Sequence, residues 1–222
     1  MSCKNCDPGV LHLGTLIKVT SDLKHCAYCG ALINQVDVYT DLDGTLHTKN
    51  WDTYFYSICI AVASKSPCLS RKIGAVLVKD KSIVATGYNG PSRGIPHCGN
   101  DRFMKDDYLV DQVPFNMGAV LSSLRFKSEC PRKVLGYESG THMELCPAQH
   151  AEVNAISNAA RLGVSVLGST LYMNCITPCK NCFGTLINAG ILEIVVDDIK
   201  MYDRHTQFLV DNSTIKIRQF NL

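Results

Sequence analysis

The sequence has almost no excess of charge of either sign. Its 222 residues include 22 basic and 20 acidic side chains, which leaves a formal net charge of +2. Proteins that wrap a polynucleotide carry clusters of Lys and Arg. We therefore expect no nucleic-acid partner, whereas a small anionic ligand needs only one or two cations.

Long apolar runs are also missing. The longest run, near residues 56–63, is far shorter than the about 20 residues of a membrane-spanning helix. The N-terminus lacks the basic and apolar stretches of a secretory leader, so we expect a cytoplasmic protein without a membrane partner. An apolar content of 46% is enough for the core of one domain with a small appendage.

Cysteine, in contrast, is abundant, with 12 residues. Without a secretory leader, CxxC pairs indicate metal sites rather than disulfides. The four N-terminal cysteines fit the spacing of a structural zinc ribbon; they are Cys3, Cys6, Cys26 and Cys29. A redox CxxC is the alternative, but no βαβ pattern surrounds either pair. We predict a zinc ribbon and linker over residues 1–48, with an interaction or regulatory role, and a catalytic domain over residues 49–222.

Two further segments, CPAQHAEVNAI at 146–156 and TPCKNC at 177–182, carry a second kind of zinc site. A catalytic zinc takes three protein ligands and keeps a fourth position for water, and His150, Cys179 and Cys182 supply three. Glu152 lies beside them as an acid/base carboxylate at a predicted helix start. H-x-E with P-C-x-x-C is the signature of zinc deaminases that act on nucleobases. The alternative is a structural zinc knuckle with an incidental Glu152.

The segment DLDGTL at 41–46 imitates the nucleophile motif of aspartyl-phosphate phosphatases. Such an enzyme needs the motif at the end of a strand that opens a large α/β domain. The zinc motifs occupy the region that this domain would require. We therefore interpret the segment as an Asp-Gly turn between the ribbon and the catalytic domain.

From Trp51 onward, helical and strand patterns alternate, which is typical of an α/β fold. Helices are predicted at residues 52–65, 150–162, 179–189 and 203–210, and strands at 74–78, 82–88, 170–174, 191–197 and 215–219. The interval between Tyr88 and His150 is predicted to be irregular, apart from a helix near 116–127. Long irregular connections tend to carry function.

Two more segments, SRKIGAVLV at 70–78 and TGYNGPSRGIPHC at 86–98, complete a family pattern. With the zinc motifs, they resemble the deoxycytidylate (dCMP) deaminase family over residues 51–219. The resemblance implies the cytidine deaminase-like three-layer α/β fold with a central mixed sheet. It also implies zinc-dependent hydrolysis of dCMP to dUMP and ammonia, which supplies dUMP for thymidylate synthesis.

The resemblance assigns further roles. Asn89 would hold the nucleotide, and Arg161 would lie near the nucleotide and a subunit contact in a hexamer. The backbone N–H of Ala151, at a helix start, would help to hold the base. An allosteric site for dCTP as activator and dTTP as inhibitor, with Mg²⁺ accompanying the triphosphates, would involve Gly87, Tyr88, Asn89 and Gly90.

Some relatives carry a second structural zinc, and the resemblance places its ligands here at Cys68, Cys98, Cys130 and Cys146. His142 or His97 could substitute for one of the last two. The alternative is that these cysteines pack as small apolar side chains. With this site, the protein would bind one catalytic and two structural zinc ions.

Two other functions fit parts of the sequence. One is deamination of a polynucleotide or of a modified cytosine nucleotide, with the ribbon gripping nucleic acid. The other is a zinc-ribbon interaction protein whose deaminase domain is not catalytic. The near-neutral charge disfavours the first, and the intact Glu152 disfavours the second.

Overall fold

The computed structural model describes residues 38–40, 46–48, 50–112, 119–138 and 140–220. The chain divides into two compact units, Met1–Ser57 with Phe220–Leu222, and Ile58–Gln219. The four ribbon cysteines lie outside the described residues, so the ribbon and the boundary after residue 48 stay predictions. In the described ranges, no helix is both long and apolar enough to cross a membrane.

Strands and helices follow one another in the predicted order. The strands are β1 Val38–Thr40, β2 Leu46–Thr48, β3 Gly74–Lys79, β4 Ser82–Tyr88, β5 Gly90–Pro91, β6 Ala148–Gln149, β7 Thr170–Met173, β8 Glu193–Val196 and β9 Lys216–Gln219. The helices are α1 Trp51–Ala63, α2 Asn100–Phe103, α3 Asp107–Asp111, α4 Ala119–Ser128, α5 Pro131–Val134, α6 Ala151–Leu162, α7 Lys180–Asn188 and α8 Arg204–Asp211.

Five strands form one mixed sheet in the order β4-β3-β7-β8-β9. Strand β3 runs antiparallel to β4 and β7, whereas β7, β8 and β9 are parallel. The parallel strands are connected through α7 and α8, as parallel pairing requires a crossover connection. The predicted α/β fold with a central mixed sheet is confirmed.

Both faces of the sheet are covered at its centre. Successive strand residues point to opposite faces, and every residue from Gly74 to Val78 is buried. Ala75 and Leu77 pack with Ala155 of α6 and Phe183 of α7 in the main core. Val76 points to the other face and is also fully buried. The near-continuous apolar sequence GAVLV therefore reflects a strand between two layers.

The interval from Tyr88 to His150 is more ordered than the sequence predicted. It contains α2 to α5 and a short 3₁₀ helix, Met143–Leu145. Four residues from these elements form a small core of their own, namely Leu109, Phe126, Val134 and Leu145. Helices of four or five residues show too little periodicity to be recognised from a sequence.

Strands β1 and β2 pair antiparallel, with Val38 opposite Thr48. Residues 41–45, which contain most of DLDGTL, connect the two strands. The motif does not end a strand of the five-stranded sheet, as the phosphatase alternative would require. Residues 41–45 themselves lie outside the described residues, so the Asp-Gly turn stays a prediction.

Candidate active site

Helix α6 carries the first two functional side chains. His150 is its N-cap residue, and Gly163 ends it in the left-handed conformation at φ 70°, as glycine commonly does. Just before the helix, β6 pairs with β5, so that Gln149 lies opposite Gly90. This short strand pair connects the start of α6 to the GYNG segment, residues 87–90.

Helix α7 carries the two thiols. Cys179 is its N-cap residue, preceded by Thr177 and Pro178, and Cys182 lies in its first turn and is buried. Two helix N-termini therefore meet at one point, as predicted. The partial positive charge of a helix N-terminus favours a thiolate there.

The three predicted ligands converge. The His150 Nδ1 atom lies 3.6 Å from the Cys179 Sγ atom and 3.2 Å from the Cys182 Sγ atom. All three donor atoms lie within 4.8 Å of one another. Ligands at zinc distances of 2.0 to 2.3 Å are separated by about 3.3 to 3.8 Å in a tetrahedron. The donor set and its spacing therefore fit one zinc ion.

Glu152 stands beside this group. Its carboxylate Oε1 atom is 3.9 Å from His150 Nδ1, and its side chain is 5% exposed. Burial raises the pKa of Glu152, and the charge of His150 opposes this effect. No other acid lines the pocket in the described part of the chain.

Both thiols are within hydrogen-bonding distance of the His150 imidazole. The hydrogen bond from Cys182 is the largest cause that lowers the pKa of Cys179, to about 4. The hydrogen bond with Cys179 is likewise the main cause of the raised pKa of His150. The lowered pKa favours the thiolate of Cys179, which is the form that binds a metal. The hydrogen bond between Cys179 and Cys182 also raises the pKa of Cys182.

A pocket opens over the three ligands and Glu152. Ala151 lines it, and the backbone N–H of this first helical residue has no partner within the helix. Thr177 also lines it, and its hydroxyl is buried with no hydrogen-bond partner among the described residues. Both residues lie at the wall of the pocket.

Asn89 lines the same pocket, but most of the hydrogen-bonding capacity of its side-chain amide is used within the protein. Its Oδ1 atom accepts from the Ser66 hydroxyl at 2.7 Å and from the Ile73 backbone N–H at 2.8 Å. Its Nδ2 atom donates to the Arg71 carbonyl at 2.8 Å. One N–H of the amide is left for a ligand, and Asn89 also fixes the segment that contains Arg71.

The other residues of the predicted allosteric segment have distinct surroundings. Gly87 is buried against the backbone of α6, and Gly90 lies against Pro67. The Tyr88 side chain is 41% exposed, and its carbonyl accepts from Asn154. Gly87 therefore serves helix packing, while an effector role for the segment stays a prediction.

Arg161 does not reach the pocket within one chain. It lies in the last turn of α6 and is exposed, about 16 Å along the helix from His150. The pocket instead contains Arg71 and Arg132, to which the sequence analysis gave no role. Arg71 belongs to the SRKIGAVLV segment that carried the resemblance. Its place in that segment is the sequence feature that could have indicated a role in the pocket.

The second predicted zinc site is only partly assembled. Cys98 interacts electrostatically with Cys130 and Cys146, and it accepts a hydrogen bond from the Arg102 guanidinium at 3.4 Å. Among the described residues, only the group around His150 has three donors close enough for a metal. Cys68 instead lines the pocket, so a zinc held by all four cysteines stays a prediction.

A family profile described as "Cytidine and deoxycytidylate deaminase zinc-binding region" matches residues 49–197. This span contains all three predicted zinc ligands and Glu152. The chain belongs to the cytidine and deoxycytidylate deaminase family. Membership agrees with the resemblance that the sequence motifs indicated.

Members of this family are similar to the chain over most of its length. The deoxycytidylate deaminase of Schizosaccharomyces pombe is 30% identical, over 77% of this chain and 44% of that relative. The deoxycytidylate deaminase of Mycobacterium phage D29 is 32% identical, over 66% of this chain and 93% of that relative. The chain spans less than half the length of the two yeast relatives that it matches.

A solved structure has the same fold. The dCMP deaminase of cyanophage S-TIM5, crystallised with dCMP and dUMP, aligns with a TM-score of 0.50 and 20% identity. The alignment covers 78% of this chain and 99% of the other. At this identity, the similarity establishes the cytidine deaminase-like fold.

Proposed function

We propose that the protein is a zinc-dependent deaminase that hydrolyses dCMP to dUMP and ammonia. The observation that carries the proposal is the juxtaposition of Glu152 with the three zinc donors in one pocket. A structural zinc site has four protein ligands, whereas only three donors are grouped here and the Glu152 carboxylate lies outside that group. The similarity to deoxycytidylate deaminases supports the choice of base.

The residues of the chain divide the chemistry between them. His150, Cys179 and Cys182 would hold the ion, which when bound supplies a water of lowered pKa near neutrality. Glu152 would carry the two protons of the water in turn, the first to N3 and the second to the departing amine. The water oxygen replaces the amino nitrogen at C4, and ammonia leaves. The Ala151 N–H and the Asn89 amide would hold the base and sugar.

The remaining predictions belong to this proposal. The enzyme would supply dUMP for thymidylate synthesis in the cytoplasm. It would assemble as a hexamer, and dCTP would activate it while dTTP inhibits it, with Mg²⁺ bound to the triphosphates. The segment around Tyr88 is exposed at its aromatic side chain, which leaves it accessible to an effector.

The test measures ammonia release from dCMP, dCTP, cytidine and single-stranded DNA side by side. We expect dCMP to react fastest in the wild type. Glu152→Gln should retain zinc and fold but lose turnover by at least 10²-fold, since positioned acid/base groups contribute about 10²–10⁴-fold. A Glu152→Gln enzyme that deaminates dCMP at the wild-type rate would overturn the proposal.

A further inference from the structure

Two arginines of the described chain are buried, and they differ in what they bind. Arg102 is 6% exposed and is saturated: it donates to the Asp106 carboxylate and to the Leu145 carbonyl, both at 2.7 Å. Arg132 is 9% exposed and forms no ion pair with a described carboxylate. The Glu144 carboxylate pairs with His142 Nδ1 at 2.9 Å, and Arg132 acts on it only through its charge. A buried guanidinium normally has an anionic partner.

One edge of the Arg132 guanidinium is unused. Its Nη1 atom donates to the Thr141 carbonyl at 2.8 Å and contacts the Met143 sulfur at 2.7 Å. The Nε atom is buried and has no hydrogen-bond partner among the described residues. The Nε and Nη2 donors form the parallel pair with which arginine binds an oxyanion at two points.

Arg132 lines the same pocket as the zinc donors. Among the described residues that line this pocket, Glu152 is the one acid, whereas Arg71 is a second cation. Arg71 and Arg132 thus place two guanidinium groups on the wall of the pocket, where an anion can bind. A planar two-point donor matches phosphate better than a halide or a single carbonyl oxygen.

We infer that Arg132 binds the 5′-phosphate of the nucleotide through its Nε and Nη2 edge and thereby selects nucleotides over nucleosides. The inference rests on the proposed function for the identity of the base. It assigns specificity to α5, a four-residue helix that the sequence analysis did not identify. Pro131 begins this helix, and proline at a first helical position restrains the backbone that carries Arg132.

Equilibrium binding of dUMP and of deoxyuridine, measured by calorimetry on zinc-loaded protein, tests the inference without turnover. Arg132→Gln can keep an amide donor for Thr141 but loses the charge and the paired edge. We expect it to weaken dUMP binding about 10- to 100-fold, the equivalent of one charge-assisted contact, and to leave deoxyuridine binding unchanged. Arg132→Lys keeps the charge and should weaken dUMP binding less.

The matched control is Lys133→Gln, which removes a charge from the same short helix at an exposed position that does not line the pocket. It should leave both affinities unchanged. If Arg132→Gln fails to fold, the dUMP and deoxyuridine affinities of Arg132→Lys are compared with those of the wild type instead. Equal loss for dUMP and deoxyuridine, unchanged dUMP binding, or failure of both variants to fold would assign Arg132 a structural role and overturn the inference.

The same experiment separates this inference from the proposed function. A wild-type protein that binds dUMP through Arg132 but releases no ammonia from dCMP contradicts the function and retains the phosphate site. In the opposite case, the wild type releases ammonia from dCMP while the ratio of dUMP to deoxyuridine affinity is the same in wild type and Arg132→Gln. That result supports the proposed function and contradicts the phosphate site at Arg132.

Discussion

Gly87 of β4 lies against the backbone of Ala155 in α6, and a Cβ atom at position 87 would stand 2.8 Å from the Ala155 Cα atom. The Ala155 nitrogen and the Ala151 carbonyl would be closer still. Both partners are backbone and cannot rotate away. The helix that begins at His150 can therefore approach the sheet only because residue 87 has no side chain.

Gly87→Ala should destabilise the fold and displace the catalytic residues. Overpacking of a filled core costs about 1–3 kcal/mol, and here the shift falls on α6, which carries Glu152. We expect a lower free energy of unfolding in urea and a lower kcat for dCMP.

Gly184→Ala is the matched control for this substitution. A Cβ atom at Gly184 would have no neighbour within 4 Å, and the residue lies inside α7. Alanine there should stabilise the helix by up to about 1 kcal/mol. Equal effects of the two substitutions would contradict the packing argument.

Much of this arrangement was predictable from the sequence. The convergence of His150, Cys179 and Cys182 was predictable because three ligand types and a neighbouring carboxylate form a local pattern. The long elements were found because their periodicity extends over several turns or pairs. Arg132 was not found, because its position depends on a four-residue helix and on contacts with Thr141 and Met143. The close approach of Gly87 to Ala155 is also a tertiary contact that periodicity does not reveal.

Removal of one thiol should release the catalytic zinc. Cys182→Ser replaces a buried sulfur donor of the three-ligand group, and the hydroxyl of serine is a much weaker zinc ligand than a thiolate. We expect zinc content, measured by mass spectrometry, to fall by one ion per chain, with loss of deamination. The melting temperature should fall because metal binding stabilises the folded state.

Cys175→Ala provides the comparison, since Cys175 lines the pocket but lies outside the donor group. Its zinc content should equal that of the wild type. The wild type itself should contain more than one zinc ion per chain if the structural sites form. A wild-type content of one ion or fewer in zinc-loaded protein would rule out both structural sites.

Asn89→Ala should reduce both stability and nucleotide binding. It leaves the partly buried Ile73 N–H and Arg71 carbonyl without their present partner, and an unsatisfied group costs up to about 1–3 kcal/mol when it is fully buried. Loss of the bond to the Arg71 carbonyl also frees the segment that places this cation at the pocket. We expect a lower midpoint of urea unfolding and a higher KM for dCMP.

Ser66→Ala separates the two effects of Asn89. It removes the hydroxyl that donates to the side-chain and backbone oxygens of Asn89 and accepts from the Cys68 N–H, and it leaves the contacts with Ile73 and Arg71. Its cost in stability should be about 1–3 kcal/mol, with little change in KM. A KM increase as large as that of Asn89→Ala would show that the Arg71 contact is not the determining one.

Asp203 should stabilise α8 in a pH-dependent manner. Its carboxylate accepts from the Thr206 backbone N–H at 2.8 Å and from the Thr206 hydroxyl at 3.2 Å. The first of these hydrogen bonds is the main cause that lowers the pKa of Asp203. A carboxyl whose pKa is lower in the folded state contributes stability above its unfolded pKa of about 3.9, and this is lost as the pH falls through the folded value.

Asp203→Ala removes the cap at every pH and should lower the free energy of unfolding by about 1 kcal/mol at pH 7. Asp203→Asn keeps an uncharged cap, because its amide oxygen can still accept from Thr206. The stability advantage of the wild type over Asp203→Asn should therefore be largest at neutral pH and shrink below about pH 4. Urea unfolding of the three proteins between pH 3 and pH 7 measures these differences. A difference between wild type and Asp203→Asn that stays constant with pH would show that the Asp203 charge contributes nothing to the cap.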